Sequence, residues 1–215
     1  MNTLYLLSGP PRAGKTTIMN QLVTKTGVQL VATDALEHGM RAILIGEPHQ
    51  MLRGIKLQGS AEYKTSFTDV GGWKPFSNEG TESEMLLQFF TGMMDYYRRN
   101  EESVAFEGTE FLPKWVSELH VPGFKIKAAF VGYTSSEHIE NILKHARQNT
   151  HDWINEWLEK DSGDETNIRN WVKDQAEKCI ALKSEAERLG LPFFDASALP
   201  FESYVNTVID YFLSD

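Results

Sequence analysis

One short stretch constrains this chain more than any other: Gly9-Pro10-Pro11-Arg12-Ala13-Gly14-Lys15-Thr16. It matches the pattern G-x-x-x-x-G-K-[ST] at every fixed position. Thr3-Leu4-Tyr5-Leu6-Leu7 comes before it, an apolar run suited to a strand. After it, Ile18, Met19, Leu22 and Val23 recur at helical spacing. Strand, glycine loop and helix in that order form a phosphate cradle. Two glycines let the backbone curl so that its N–H groups face an anion. A helix starting near Lys15 adds the positive end of its dipole. Lys15 then reaches the terminal phosphates, and the Thr16 hydroxyl is placed to ligate magnesium. The expected nucleotide-binding set is Gly9, Pro10, Pro11, Arg12, Ala13, Gly14, Lys15, Thr16 and Thr17. Pro10 and Pro11 remove two N–H donors and stiffen the loop. A glycine turn matching the pattern by chance is the plain alternative, and the flanking elements weigh against it.

The remaining chain alternates strand-like and helix-like stretches. Gly27 is a helix stop, and Val28 to Thr33 reads as a second strand running into Asp34. In a parallel sheet the carboxyl ends of the strands border the ligand crevice. Asp34 is thus expected on that rim, orienting an acceptor or taking its proton; the other reading is a helix N-cap. Arg41 follows as a candidate for an anionic acceptor. Residues 46–80 mix glycines, cations and aromatic side chains and are too long for a simple connection. They read as an insertion covering the acceptor. Thr81 and Glu84 have capping-box spacing, ahead of a helix that ends at Arg98-Arg99-Asn100.

Ser103 to Thr109 reads as strand three, with Glu107 at its end as a second rim carboxylate. It is expected either to hold a magnesium-bound water or to touch the acceptor. A short helix is expected at 114–119, after Pro113. Phe124 to Gly132 reads as strand four, and Thr134 with Glu137 as another capping box. Lys144 and Arg147 share one face of the next helix, where Arg147 is the candidate to offset charge on the transferring phosphate. Residues 149–163, with Trp153 and Trp157, read as a cover anchored by aromatic rings. Ile168 to Leu189 carries an apolar stripe including Cys179 and Ile180. Leu191 to Asp195 reads as strand five. Residues 196–200 follow on the rim, where a base could stack, and Glu202 to Leu213 reads as a closing helix.

Composition narrows the function class. The net charge is −9, which argues against a broad nucleic-acid or anionic-membrane surface. Cys179 is the single cysteine, so no intrachain disulfide can form, and a reducing cytoplasm is the expected address. The histidines lack metal-ligand spacing, and no G-x-S-x-G elbow supports serine-hydrolase chemistry.

Through Gly9 to Thr16 and this element order, the chain resembles the P-loop small-molecule kinases of the nucleoside-monophosphate-kinase-like group. Thr33-Asp34 with Arg41 is similar to the acceptor segment of such kinases. Glu107-Gly108 is similar to the strand-three end of uridine-kinase-like and 2-phosphoglycerate-kinase-like members. The resemblance implies an α/β, three-layer P-loop fold: a parallel five-stranded sheet in the order 2-3-1-4-5 with helices on both faces. It also implies ATP, magnesium and a closing lid. One domain over 1–215 is expected, with an acceptor-binding insertion at about 35–100 and a lid at about 145–165. The family's lid arginine would fall on Arg147. Where P-loop ATPases usually end a strand in Asp, this chain has Glu107, which leaves its magnesium role open.

The expected activity is transfer of the terminal phosphoryl group of ATP to a small-molecule acceptor. Lys15, Asp34 and Arg147 are the catalytic candidates, Asp34, Arg41 and Glu107 face the acceptor, and Thr16 serves magnesium. No polymeric nucleic acid and no membrane is expected as a partner. The rival is an ATPase or nucleotide-dependent switch without an acceptor. The absence of N-K-x-D and L-S-G-G-Q motifs weighs against GTPase and transporter versions of that rival. A polynucleotide end kinase is disfavoured by the acidic charge.

Overall fold

Strand β1, Asn2–Ser8, is the middle of the sheet, and its side chains say why: Leu4, Leu6 and Leu7 are all fully enclosed. The computed structural model describes residues 2–36, 90–149 and 152–214. Around β1 lie β2 (Gln29–Ala32), β3 (Val104–Gly108), β4 (Phe124–Gly132) and β5 (Phe193–Asp195). The order across the parallel sheet is β2-β3-β1-β4-β5, as the resemblance implies. Buried parallel strands read as continuous apolar runs, because helices cover both faces. Leu7 lies opposite Glu107 on one side and Ala129 on the other. The ends of β1 and β3 are thus level with one another.

The chain divides into two compact units, one of Met1–Leu30 with Ser103–Asp215 and one of Val31–Glu102. In the first unit, helix α1 (Lys15–Thr26) buries Ile18, Met19 and Leu22 and stops at Gly27, whose φ of 71° closes the last turn. Pro113 opens the short helix α2 (Pro113–Glu118). It suits that first position, where its missing N–H would have no helical partner. A 3₁₀ turn, Ser136–His138, leads into α3 (Ile139–Gln148). Its cap differs from the expected box. Ser135 accepts from the Glu137 N–H, while Thr134 is drawn away to the Asp195 carboxylate.

Helix α4 (Trp153–Lys160) occupies the stretch expected only to be a cover, with the Asp152 side chain accepting the Ile154 N–H at its start. Trp153, Trp157 and Trp171 pack ring against ring there. The long α5 (Thr166–Arg188) buries Ile168, Val172, Ala176, Cys179 and Ala186. Ile180, expected on that stripe, is instead half exposed, since it lies one residue off the buried face. Helix α6 (Phe201–Leu213) closes the unit, with Tyr204, Val205, Val208, Ile209 and Phe212 inward.

The second unit is described at its two ends. Residues 33–36 are helical, with Thr33 buried and Asp34 exposed. Residues 90–99 are helical and bury Phe90, Met94 and Tyr97. Asp95 on that helix pairs with both Arg98 and Arg99. Arg41, residues 46–80 and the Thr81–Glu84 box lie outside the described residues. No described helix is long and apolar enough to cross a membrane.

Candidate active site

The loop between β1 and α1 is shaped by three backbone positions that side chains rarely occupy. Gly9, Arg12 and Gly14 have φ of 155°, 69° and 81°. Gly9 must lack a side chain, because a Cβ there would stand 2.0 Å from the Val131 carbonyl oxygen of β4. Its own N–H donates to the Gly108 carbonyl at 3.3 Å, which ties the loop to the end of β3. Arg12 and Gly14 are left-handed while Ala13 between them is not. Alternation of this kind turns successive N–H groups toward one side and makes an anion-binding nest.

Helix α1 begins at the end of that nest. No side chain caps it, and its first turn holds no acidic residue. No carboxylate of its own first turn therefore offsets the positive dipole end, which suits an anion. Lys15 is nine-tenths buried, and its ammonium donates to the carbonyls of Gly9 and Pro10 at 2.8 and 3.0 Å. The charge thus lies back across the loop, at the end where terminal phosphates would rest. Next to it, Thr16 Oγ1 donates to Glu107 Oε2 at 3.3 Å. Glu107 is 5% exposed, so it is a buried carboxylate rather than a solvated strand end. A hydroxyl and a carboxylate side by side are hard oxygen donors of the kind magnesium selects. Thr17 is exposed on the first turn of α1.

Arg12 points a different way. Its guanidinium grips both carboxylate oxygens of Asp152, one of them at 2.7 Å, and lies 4.8 Å from the Trp153 ring centroid. His145 Nδ1 approaches the same carboxylate at 3.4 Å. Burial by itself would raise the Asp152 pKa, but the Arg12 guanidinium, the Ile154 N–H and His145 together hold it below the ordinary value. The phosphate loop is in this way joined to the start of α4 by one ion pair.

Two buried side chains support the loop from the core. Tyr204 Oη of α6 donates to the Ala13 carbonyl at 2.6 Å. His138 Nε2 meets the Arg12 carbonyl at 3.2 Å, and the imidazole stacks on Tyr133 with ring centroids 4.5 Å apart. A carbonyl only accepts, so this nitrogen carries the hydrogen. Burial pushes the His138 pKa down, and the imidazole stays neutral at neutral pH. Burial likewise pushes the Tyr204 phenol up, so it remains a donor.

The other expected residues are placed as follows. Arg147 ends α3 as an exposed side chain bound to Glu165 Oε1 at 2.8 Å, and Glu165 is shared with Arg169. It is therefore an ion-paired arginine in this structure, and reaching a phosphate would require leaving Glu165. Asp34 belongs to the other unit, inside the helical residues 33–36. Ser197, on the stretch after β5, is folded back onto Asp195, as is Thr134. Asp195 would be raised by burial, yet those donors keep its pKa low, so it stays an acceptor-only carboxylate binding the two turns together.

Asp152, His138 and Tyr204 are not legible in the sequence as supports of the loop. Each acts on the loop from more than a hundred residues away, and none belongs to a spaced motif. The unusual arginine within the glycine loop was the one local signal, since a buried or half-buried guanidinium needs a carboxylate.

No family model matches the sequence, and no curated protein does. Solved structures do match in fold. Shikimate kinase from Bacteroides thetaiotaomicron is similar at a TM-score of 0.52 and 14% identity, over 98% of this chain and 95% of that one. Dephospho-CoA kinase from Campylobacter jejuni is similar at 0.44 and 10%, over 99% and 98%. An uncharacterized protein from Eubacterium ventriosum is similar at 0.47 and 12%, over 98% of each chain. With the strand order, the likeness to shikimate kinase gives this chain the three-layer P-loop fold: a five-stranded parallel sheet in the order 2-3-1-4-5 with helices around it.

Proposed function

We propose that this protein is an ATP-dependent kinase, moving the terminal phosphoryl group to a hydroxyl or phosphate of a small metabolite or nucleotide. The observation that carries the reading is the loop itself. It combines left-handed backbone at Arg12 and Gly14, a head of α1 with no side-chain cap and no acidic residue in its first turn, and a Lys15 ammonium folded back onto the loop carbonyls. In transfer, a bond forms between an acceptor oxygen and the terminal phosphorus. The bond from that phosphorus to its bridging oxygen breaks, and the electron pair leaves with the diphosphate. The acceptor's proton goes to a carboxylate. Asp34 is assigned that role from its position directly after a parallel strand. Arg41 is assigned to an anionic acceptor, and Arg147 to the transferring phosphate once freed from Glu165.

Such chemistry is mainly positioning and electrostatics, and this chain's residues supply both. Lys15 and the loop N–H groups hold the phosphates where negative charge develops. Thr16 and Glu107 would hold magnesium, which when bound neutralises charge on the phosphates. The buried state of Glu107 beside Thr16 favours this assignment over an acceptor contact.

The test is ATP turnover by the purified chain with and without a pool of small metabolites, followed by label transferred from the terminal phosphate. A kinase transfers label to a member of the pool and is slow without it. Equal release of inorganic phosphate in both conditions marks a hydrolase or switch instead.

A further inference from the structure

In a trans peptide the C=O of one residue and the N–H of the next point in opposite directions. No described peptide bond is cis. Fixing the carbonyl of residue 12 therefore aims the N–H of Ala13, and fixing that of Ala13 aims the N–H of Gly14. Both carbonyls are fixed, each by a separate buried side chain from a separate element. His138 takes the first at 3.2 Å and Tyr204 takes the second at 2.6 Å. His138 is 6% exposed and Tyr204 is 1% exposed, so neither donor has water to compete for it.

The two N–H groups on the opposite faces of those peptides donate to no other described residue. They belong to the stretch where left-handed Arg12 and Gly14 flank Ala13. We propose that His138 and Tyr204 are positioning residues, which hold the Arg12 and Ala13 carbonyls toward the core and so preset the Ala13 and Gly14 N–H groups as phosphate donors. The proposal rests on the phosphate-cradle reading above and adds to it. These two side chains add to affinity without meeting the phosphate, since preorganised donors need no reorganisation on binding.

Both donors are well suited to the task. Tyr204 is clamped in the core cluster beside Ala13 and Val205. The His138 ring stacks on Tyr133, and its other nitrogen has no hydrogen-bond partner. A single working contact, to Arg12, thus accounts for a polar ring in an apolar place.

The experiment is calorimetric titration of the full chain with inorganic tripolyphosphate, comparing Tyr204→Phe, His138→Leu and His138→Gln. Tyr204→Phe removes one oxygen and leaves the ring packing in place. Glutamine places an amide N–H where imidazole Nε2 stood, and leucine does not. Loss of one well-aimed bond to a charged phosphate weakens binding about tenfold or more. The expected result is that loss in Tyr204→Phe and His138→Leu, with most of it restored in His138→Gln. Wild-type affinity in all three variants, even if their unfolding midpoints fall, overturns the positioning role and leaves the cradle standing. A failure of the unaltered chain to bind tripolyphosphate removes the cradle itself, and this proposal with it.

Discussion

At the scale of single residues, the loop separates two kinds of glycine. Gly9 has backbone of β4 where a side chain would go, at 2.0 Å. Gly27 has a left-handed φ of 71° and nothing within 4 Å. Gly27→Ala should therefore cost only the left-handed penalty, about 1 kcal/mol. Gly9→Ala should cost about 3 kcal/mol or more, because backbone must shift. Denaturant midpoints of the two variants measure the difference. Lys15 makes a different prediction. In the proposed kinase its ammonium serves the phosphates, so Lys15→Ala should lower transfer by roughly a thousandfold, measured as labelled product, with the circular dichroism spectrum retained.

At the scale of elements, the ion pair between Arg12 and Asp152 joins the phosphate loop to α4. Asp152 is also the cap of that helix. Asp152→Ala removes cap and carboxylate together and should destabilise by about 2–4 kcal/mol. Asp152→Asn keeps the cap acceptor and should cost distinctly less in a denaturant titration.

The same elements predict a pH dependence. His138 is held below its ordinary 6.5 by burial. Asp152 is held below its ordinary 3.8 because Arg12, the Ile154 N–H and His145 outweigh the burial that would raise it. In both cases the unfolded chain takes up protons first as pH falls. Stability is therefore complete above pH 6.5 and declines below it, first through His138 and then, under 3.8, through Asp152. Urea midpoints across pH 7.5 to 5 should fall in the unaltered chain. They should fall less in His138→Gln, which has no group to protonate there.

What the sequence reveals at this scale has a physical boundary. The strands were legible because buried parallel strands are written as unbroken apolar runs, from Leu4 to Leu7 and from Ala128 to Val131. The strand order followed from the resemblance carried by the loop. Gly27 and Cys179 were legible too, one as a left-handed stop and one by its place on a helical stripe. Helix α4 was not, although Trp153, Ile154, Trp157 and Leu158 recur at helical spacing, because eight residues between polar stretches make too short a pattern to separate from a loop with aromatic anchors. Nor was the Thr134 cap, which lost to a tertiary bond with Asp195. The supports of the loop were least legible of all. Tyr204 and Ala13 are 191 residues apart, and nothing in local spacing announces their bond.

At the scale of the whole molecule, the level ends of β1 and β3 bring the loop and Glu107 together. The 3₁₀ turn before α3, the cap of α4 and helix α6 then reach the loop through His138, Asp152 and Tyr204. In the proposed kinase this loop is where nucleotide phosphate binds. Backbone amide resonances of the ¹⁵N-labelled chain, followed through a titration with magnesium and ATP, test it most directly. Ala13, Gly14, Lys15 and Thr16 should shift together and saturate, and Lys15→Ala should weaken the response. Saturable shifts confined to other parts of the chain, with those four amides unmoved, would contradict it.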